Sequence, residues 1–108
     1  MILSVSYGTR SAEPDSLTKH ILADLAVRLR AAPAVQVTIE AFTDSVGEAN
    51  TNLKLTQKRA ERAKAFLVAE KIAAKRITAI GRGEANPIAD NATALGRRSN
   101  RRLEISFR

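Results

Sequence analysis

Apolar and polar residues alternate in the first part of the chain, and a period of two predicts half-buried β-strands. Leu3, Val5 and Tyr7 alternate with serines, so a first strand is predicted to end before Gly8. The alternation is most regular over residues 35–42, which predicts the clearest strand of the chain. The apolar side of that strand is formed by Val35, Val37, Ile39 and Ala41.

Two long segments instead repeat their apolar residues every three or four positions, which is the spacing of an amphipathic helix. The first helix is predicted over about residues 14–31, between the helix-start chemistry of Pro14-Asp15-Ser16 and the stop at Pro33. The second is predicted over about residues 52–71. The apolar sides of the two helices are formed by Leu17, Ile21, Leu22, Leu25 and Leu29, and by Leu55, Ala60, Ala63, Phe66 and Leu67.

The last third of the chain predicts two further strands separated by a loop. Residues 77–80 form the third strand, the loop runs from Gly81 to Pro87, a helical turn falls at residues 92–99, and residues 103–107 form the last strand. The resulting order is β-α-β-α-β-β. Because strands joined by helices run parallel through right-handed crossovers, we expect an α/β (α+β) sandwich: a mixed sheet with one antiparallel strand and two long helices packed on it.

At 108 residues the chain has the size of one domain, which we expect to span residues 1–108. Met1 leads directly into the first strand, with no charged and apolar export signal before it, so we expect a domain cut out of a larger protein. No apolar run is long enough to predict a membrane helix.

Two arginines occupy positions that the patterns assign to the covered side of the fold. Arg59 lies between Leu55 and Ala63 on the apolar side of the second helix, and Arg101 shares the parity of the apolar residues in the last strand. A buried guanidinium without a partner is costly, so each arginine needs an acid or lines a cleft that admits one. Asp44, just past the clearest strand, is the natural acidic partner for either arginine. The pattern allows both a structural ion pair and a binding site. The opposite side of the last strand is predicted to carry Arg102 and Glu104.

The formal charge of +7 and a pI near 10.6 predict attraction to polyanions, although a solvated basic face explains the same composition. Aromatic residues make up only 4% and no nucleic-acid-binding motif is present, so no specific nucleic-acid partner is expected. There is no cysteine and His20 is the sole histidine, so we expect no metal and no cofactor. The chain contains no Ser-His-Asp or paired-carboxylate arrangement, and we therefore expect a protein that is not an enzyme.

Three segments, AFTDSVGEANTNLKLTQKRAERAKAFL, GRGEANPIA and GRRSNRRLEISF, resemble the OmpA-like C-terminal (peptidoglycan-binding) domain family. This family is shared with peptidoglycan-associated lipoproteins and flagellar stator proteins. The resemblance covers about residues 35–107, and it departs from the family pattern at Ala41, Phe42 and Lys58. The matching positions are Thr43-Asp44, Asn52, Arg59-Ala60, Gly81, Gly83, Pro87 and Asn100-Arg101-Arg102-x-Glu104.

The resemblance implies a module that binds peptidoglycan non-covalently through the diaminopimelate of the stem peptide and anchors a larger envelope, motor or secretion-system protein in the periplasm. In the family, the residues that match Asp44 and Arg59 bind the ammonium and the carboxylate of diaminopimelate. A homodimer is a further expected partner, and membrane contact is expected only through flanking segments. The alternative is an OmpA-like interaction module with lost or weakened wall binding that recruits a protein partner; Phe42, which lacks the polar tip of the His or Tyr in many members, favours it.

The start of the second helix adds a second expected anion contact. Its unpaired backbone N–H groups are predicted at about Leu53 and Lys54, with Asn52 as the cap. Such groups bind a carboxylate readily.

Three more residues complete the expected site. Thr43 adds a hydroxyl contact, and Phe42 is expected at the rim of the pocket. By the resemblance, Arg101 supports Asp44 from behind and holds it ionised and correctly turned.

Overall fold

The computed structural model of the protein describes residues 2–6 and 12–108. Tyr7 and Gly8, which the sequence assigns to the end of the first strand, lie outside the described residues. The order of elements confirms the predicted one, and the helical turn predicted at residues 92–99 is a short third helix that runs from Ala94 to Asn100. The elements are β1 (Ile2–Ser6), α1 (Ser16–Ala31), β2 (Val37–Phe42), α2 (Ala49–Ala69), a 3-10 turn (Ala74–Arg76), β3 (Ile77–Gly83), α3 (Ala94–Asn100) and β4 (Arg102–Phe107).

The strands form one mixed sheet in the order β1-β4-β2-β3. β2 and β3 are parallel, whereas β4 is antiparallel to both of its neighbours, which confirms the expected single antiparallel strand. The β2–β3 register shifts after Ala41, so that Phe42 pairs with Gly83 and Arg82 is an extra residue. The carboxyl ends of β2 and β3 therefore meet at one edge of the sheet.

The hydrophobic core lies between the sheet and the two long helices. Alanines on α2 bring its backbone close to the sheet, and each large aliphatic side chain that is buried contributes about 1.5–3 kcal/mol. Leu17, part of the predicted apolar repeat, is 68% exposed because it lies in the first turn of α1, ahead of the core residues. The fully or nearly fully buried core residues are Leu22, Ala26, Leu29, Val37, Ile39, Ala41, Ala60, Ala63, Leu67, Ile72, Ile77, Leu103 and Ile105.

Both ends of α1 are fixed by charged side chains. Asp15 precedes the helix, and its Oδ1 accepts a hydrogen bond from the backbone N–H of Thr18 at 2.8 Å. At the other end, Arg76 donates from Nη2 to the carbonyls of Leu29 at 3.0 Å and Ala32 at 2.8 Å. Arg76 Nε also donates to the Val35 carbonyl at 3.0 Å, so one side chain joins the end of α1 to the start of β3.

β3 is longer than the sequence predicts, because Gly81, Arg82 and Gly83 continue the strand instead of forming a loop. The side chain of Gln57 on α2 accepts from Gly81 N–H at 2.7 Å and donates to the Ala79 carbonyl at 3.3 Å. A Cβ atom at Gly81 would lie 2.3 Å from the backbone nitrogen of Gln57. The glycine is therefore required by the close approach of α2 and not by a turn.

Candidate functional site

The candidate site lies where β2 and β3 end and α2 begins. Thr43 follows β2 directly, is buried, and its backbone N–H donates to the Gly83 carbonyl at 2.8 Å. Asp44 comes next and is only 7% exposed. The open edge of a parallel strand pair is where α/β sheets carry their ligand sites, and Asp44 occupies the place that the sequence predicts.

The carboxylate of Asp44 is held by two hydrogen bonds. Its Oδ1 accepts from the backbone N–H of Val46 at 3.0 Å, and its Oδ2 accepts from Nη1 of Arg101 at 2.7 Å. The second bond is a short, charge-assisted ion pair that is mostly shielded from solvent. The expected contact between Arg101 and Asp44 is thus present, but the strand-parity argument for it is wrong, because Arg101 caps α3 and β4 begins only at the next residue.

Arg59 is 1% exposed and is among the largest fully buried side chains of the described residues. Its burial on α2 confirms the prediction from the helical pattern. Thr56, three residues earlier on the same face of the helix, accepts from Gly83 N–H at 2.9 Å through its hydroxyl. This bond sets α2 against the end of β3, so Arg59 faces the sheet within one helical turn of its carboxyl edge.

Asn52 is not the cap of α2, which corrects the sequence prediction. The helix begins at Ala49 after Glu48, whose side chain makes no capping hydrogen bond. Asn52 is buried inside the first turns, and its Nδ2 donates to the Val46 carbonyl at 3.0 Å and to Glu84 Oε2 at 3.4 Å. Its amide therefore ties α2 to the loop that carries Asp44.

The expected anion contact at Leu53 and Lys54 is also wrong in position. Because the helix starts at Ala49, its unpaired N–H groups precede Asn52, whose own N–H already bonds to the Glu48 carbonyl at 3.0 Å. The backbone of the two later residues is inside the helix, and their side chains are exposed.

Phe42 is not at the rim of a pocket. The ring is 2% exposed and lies under the guanidinium of Arg102, 4.0 Å from it. Arg102 points to the sheet face opposite α1 and α2, as the parity predicts, yet it too is 2% exposed. Its Nη2 donates to the Asn86 carbonyl at 2.9 Å and its Nε to Glu104 at 2.7 Å, so the segment between β3 and α3 covers this end of the second face.

Asn100 is a site-forming residue to which the sequence assigns no role beyond its place in the Asn-Arg-Arg motif. It is 0% exposed, and its Oδ1 accepts from the N–H groups of Ile88 at 2.8 Å and Ala89 at 3.0 Å. Through these bonds, α3 fixes the segment that follows β3. The Asn-Arg-Arg motif is the one feature of the sequence that points to Asn100. An asparagine that bonds to distant backbone leaves no periodic pattern from which its role could be predicted.

The described residues contain neither a candidate metal cluster nor a candidate membrane helix. No group of three or more His, Cys, Asp or Glu side chains among them is arranged to hold a metal ion. No helix in the same part of the chain is both long and apolar enough to cross a membrane.

Comparison with known proteins places this geometry in a family. The family described as "OmpA family" matches residues 11–101. Over 101 residues the chain is 39% identical to the peptidoglycan-binding protein ArfA of Mycobacterium tuberculosis, an alignment that covers 94% of this chain and 31% of that protein. The chain therefore spans less than a third of this relative's length.

Two solved structures show the same fold. The peptidoglycan-associated lipoprotein from Burkholderia pseudomallei superposes with a TM-score of 0.91 and 26% identity, over 97% of this chain and 89% of that chain. The cell wall anchor of the T6SS from Pseudomonas aeruginosa gives a TM-score of 0.81 and 32% identity, over 96% and 78% of the two chains. With the family match extending from the start of α1 through the Asp44 loop to Arg101, these likenesses show that the chain belongs to the OmpA family.

Proposed function

We propose that this domain binds peptidoglycan non-covalently through the diaminopimelate of the stem peptide and so anchors a larger envelope, motor or secretion-system protein to the cell wall in the periplasm. One observation carries the proposal: Asp44 is a buried carboxylate held at the edge of the sheet, in a loop bonded to α2, the helix on which Arg59 is buried. The names of the relatives support it, since one is called a peptidoglycan-binding protein and another a cell wall anchor.

Diaminopimelate ends in an ammonium group beside a carboxylate, so its receptor needs one fixed anion and one fixed cation close together. Each oxygen of Asp44 accepts a single described hydrogen bond, and a carboxylate has about four acceptor positions. Acceptor capacity is therefore left for an ammonium group. Arginine suits the second role because its planar fork meets a carboxylate with two parallel hydrogen bonds, which a lysine cannot do.

Arg101 has a supporting role in this proposal. Its 2.7 Å bond to Oδ2 keeps the Asp44 carboxylate from rotating away. The Arg101–Asp44 ion pair is also what we would expect if the two residues only stabilise the fold. The alternative function, an interaction module that has lost wall binding and recruits a protein partner, rests on that second interpretation of the pair.

Calorimetric titration with a diaminopimelate-containing muropeptide tests the proposal. We expect saturable binding by the wild type and none by Asp44→Ala or Arg59→Ala, after circular dichroism has shown that both variants are folded. Asp24→Ala and Arg62→Ala remove exposed charges of the same kinds and should bind like the wild type.

A second muropeptide makes the test specific for diaminopimelate. Lysine at the same position of the stem peptide retains the ammonium group and lacks the carboxylate, so it should bind more weakly to the wild type, and Arg59→Ala should not discriminate between the two. If the folded wild type shows no saturable binding at millimolar ligand, wall anchoring is wrong for this chain and a protein partner should be sought instead.

A further inference from the structure

The loop that carries Asp44 is held by hydrogen bonds on two sides. On the α2 side, Asn52 Nδ2 donates to the Val46 carbonyl at 3.0 Å. On the opposite side, the backbone N–H of Ser45 donates to Oδ1 of Asn91 at 3.4 Å. Asn91 belongs to the segment between β3 and α3, so the loop spans the gap between α2 and that segment.

The amide of Asn91 is oriented by its neighbour Asn100. Backbone N–H groups of Ile88 and Ala89 donate to Asn100 Oδ1, so the Nδ2 of that buried amide is the donor side. This Nδ2 donates to Asn91 Oδ1 at 2.8 Å. Asn91 must therefore present its oxygen, and not its NH2 group, to the N–H of Ser45.

The main chain of Asn91 is fixed as well. Arg97 on α3 donates from Nη1 to the Asn91 carbonyl at 3.0 Å. The side chain and the backbone of this half-buried residue are thus both held by side chains of α3, Asn100 and Arg97 respectively. An acceptor built in this way can restrain a loop, whereas an exposed and unattached asparagine cannot.

We propose that Asn91 is a positioning residue for the ligand site: it holds Ser45 and through it sets the direction of the Asp44 carboxylate. This role rests on the proposed function, because the direction matters only if Asp44 receives a ligand. Ser45 lies between Asp44 and Val46, and the Val46 N–H bonds to Asp44 Oδ1, so a rotation at Ser45 moves this donor relative to the carboxylate and changes how the carboxylate is held.

The first test is made without ligand. In amide NMR spectra, Asn91→Ala should shift the resonances of Asp44, Ser45 and Val46, because the oxygen that accepts the Ser45 N–H is gone. Asn91→Asp keeps an oxygen for both of its donors and should leave them near the wild-type positions. Asn50→Ala, which removes an exposed asparagine at the start of α2, is the matched control and should not shift them.

The second test is affinity for the diaminopimelate-containing muropeptide. The bond to Ser45 is long, at 3.4 Å, so its loss in Asn91→Ala should weaken the affinity by about twofold. Asn91→Asp should recover most of the loss, and Asn50→Ala should bind like the wild type. Urea unfolding of the same variants separates a loss of affinity from a loss of stability.

The outcomes are distinguishable. If Asn91→Ala is less stable but binds with wild-type affinity and unshifted loop amides, Asn91 is only structural and the positioning role is wrong. If the wild type itself does not bind the muropeptide, the proposed function fails and the positioning role fails with it.

Discussion

The two ends of the parallel β2–β3 pair use arginine in opposite ways. At the amino ends, Arg76 donates to three backbone carbonyls, at 3.0, 3.0 and 2.8 Å, and these acceptors are uncharged and fixed by the fold. At the carboxyl ends, Arg101 donates to the Asp44 carboxylate at 2.7 Å. An arginine bound to backbone carbonyls only stabilises the fold. An arginine paired with a carboxylate leaves charge and acceptor positions that a ligand can use.

Removing Arg76 should give the largest effect on stability and none on binding. Arg76→Met leaves three part-buried carbonyls without their charged donor, so we expect the free energy of unfolding to fall by about 2–4 kcal/mol. Urea denaturation followed by circular dichroism measures this change. The exposed neighbour Lys75 provides the control Lys75→Met, and equal destabilisation by both variants, or weaker muropeptide binding by folded Arg76→Met, would contradict the structural role.

Neutralising Asp44 should have a smaller effect on stability and a decisive one on binding. Asp44→Asn keeps an oxygen for the Val46 N–H but removes the charge opposite Arg101, so we expect the free energy of unfolding to fall by about 1–3 kcal/mol. Calorimetry should show no saturable muropeptide binding. If the variant binds the muropeptide normally while losing this stability, Asp44, like Arg76, only stabilises the fold.

The smallest effect is expected at the start of α1, where the cap is an acid that titrates. The backbone N–H of Thr18, and then its hydroxyl, donate to Asp15 and lower the pKa of this carboxyl below its ordinary value of 3.8. A lowered pKa means that the cap stabilises the folded state above about pH 4 and that this contribution is lost as the pH falls through the pKa of Asp15.

Asp15→Ala should therefore cost about 1 kcal/mol at neutral pH and progressively less in acid. Thermal unfolding of wild type and variant at neutral pH and near pH 3 measures the difference, with Asp15→Asn as a capping control that does not titrate. A difference that stays constant with pH would rule out the ionised cap.

The sequence predicts the parts of this fold that depend on periodicity. The alternation around Ile39 and the repeat that includes Ala63 specify which faces are covered, and the same repeat identifies Arg59 as buried. The start of α2 is not predictable in this way, because Glu48 makes no side-chain cap and therefore leaves no local signal. Asn52, a residue type that often caps, occurs in the sequence where a cap is expected but bonds elsewhere.

The sequence predicts only those residues of the site that belong to a recognisable motif or come directly after a predicted strand. Asp44 is found from both, whereas the burial of Phe42 depends on Arg102, which is covered by a segment whose Asn86 is distant in sequence. Contacts of this kind arise from tertiary packing. No local pattern of residues encodes them, which is why the expected rim position of Phe42 is wrong.

The contact between Gln57 and β3 has a consequence for association between molecules. β3 is an outer strand, and the exposed backbone of outer strands readily pairs with strands of other copies. Gln57 occupies the Ala79 carbonyl and the Gly81 N–H, and Thr56 occupies the N–H of Gly83. A side chain thus substitutes for the missing neighbour strand, so crowded copies of the domain cannot polymerise by strand addition along this stretch of the sheet.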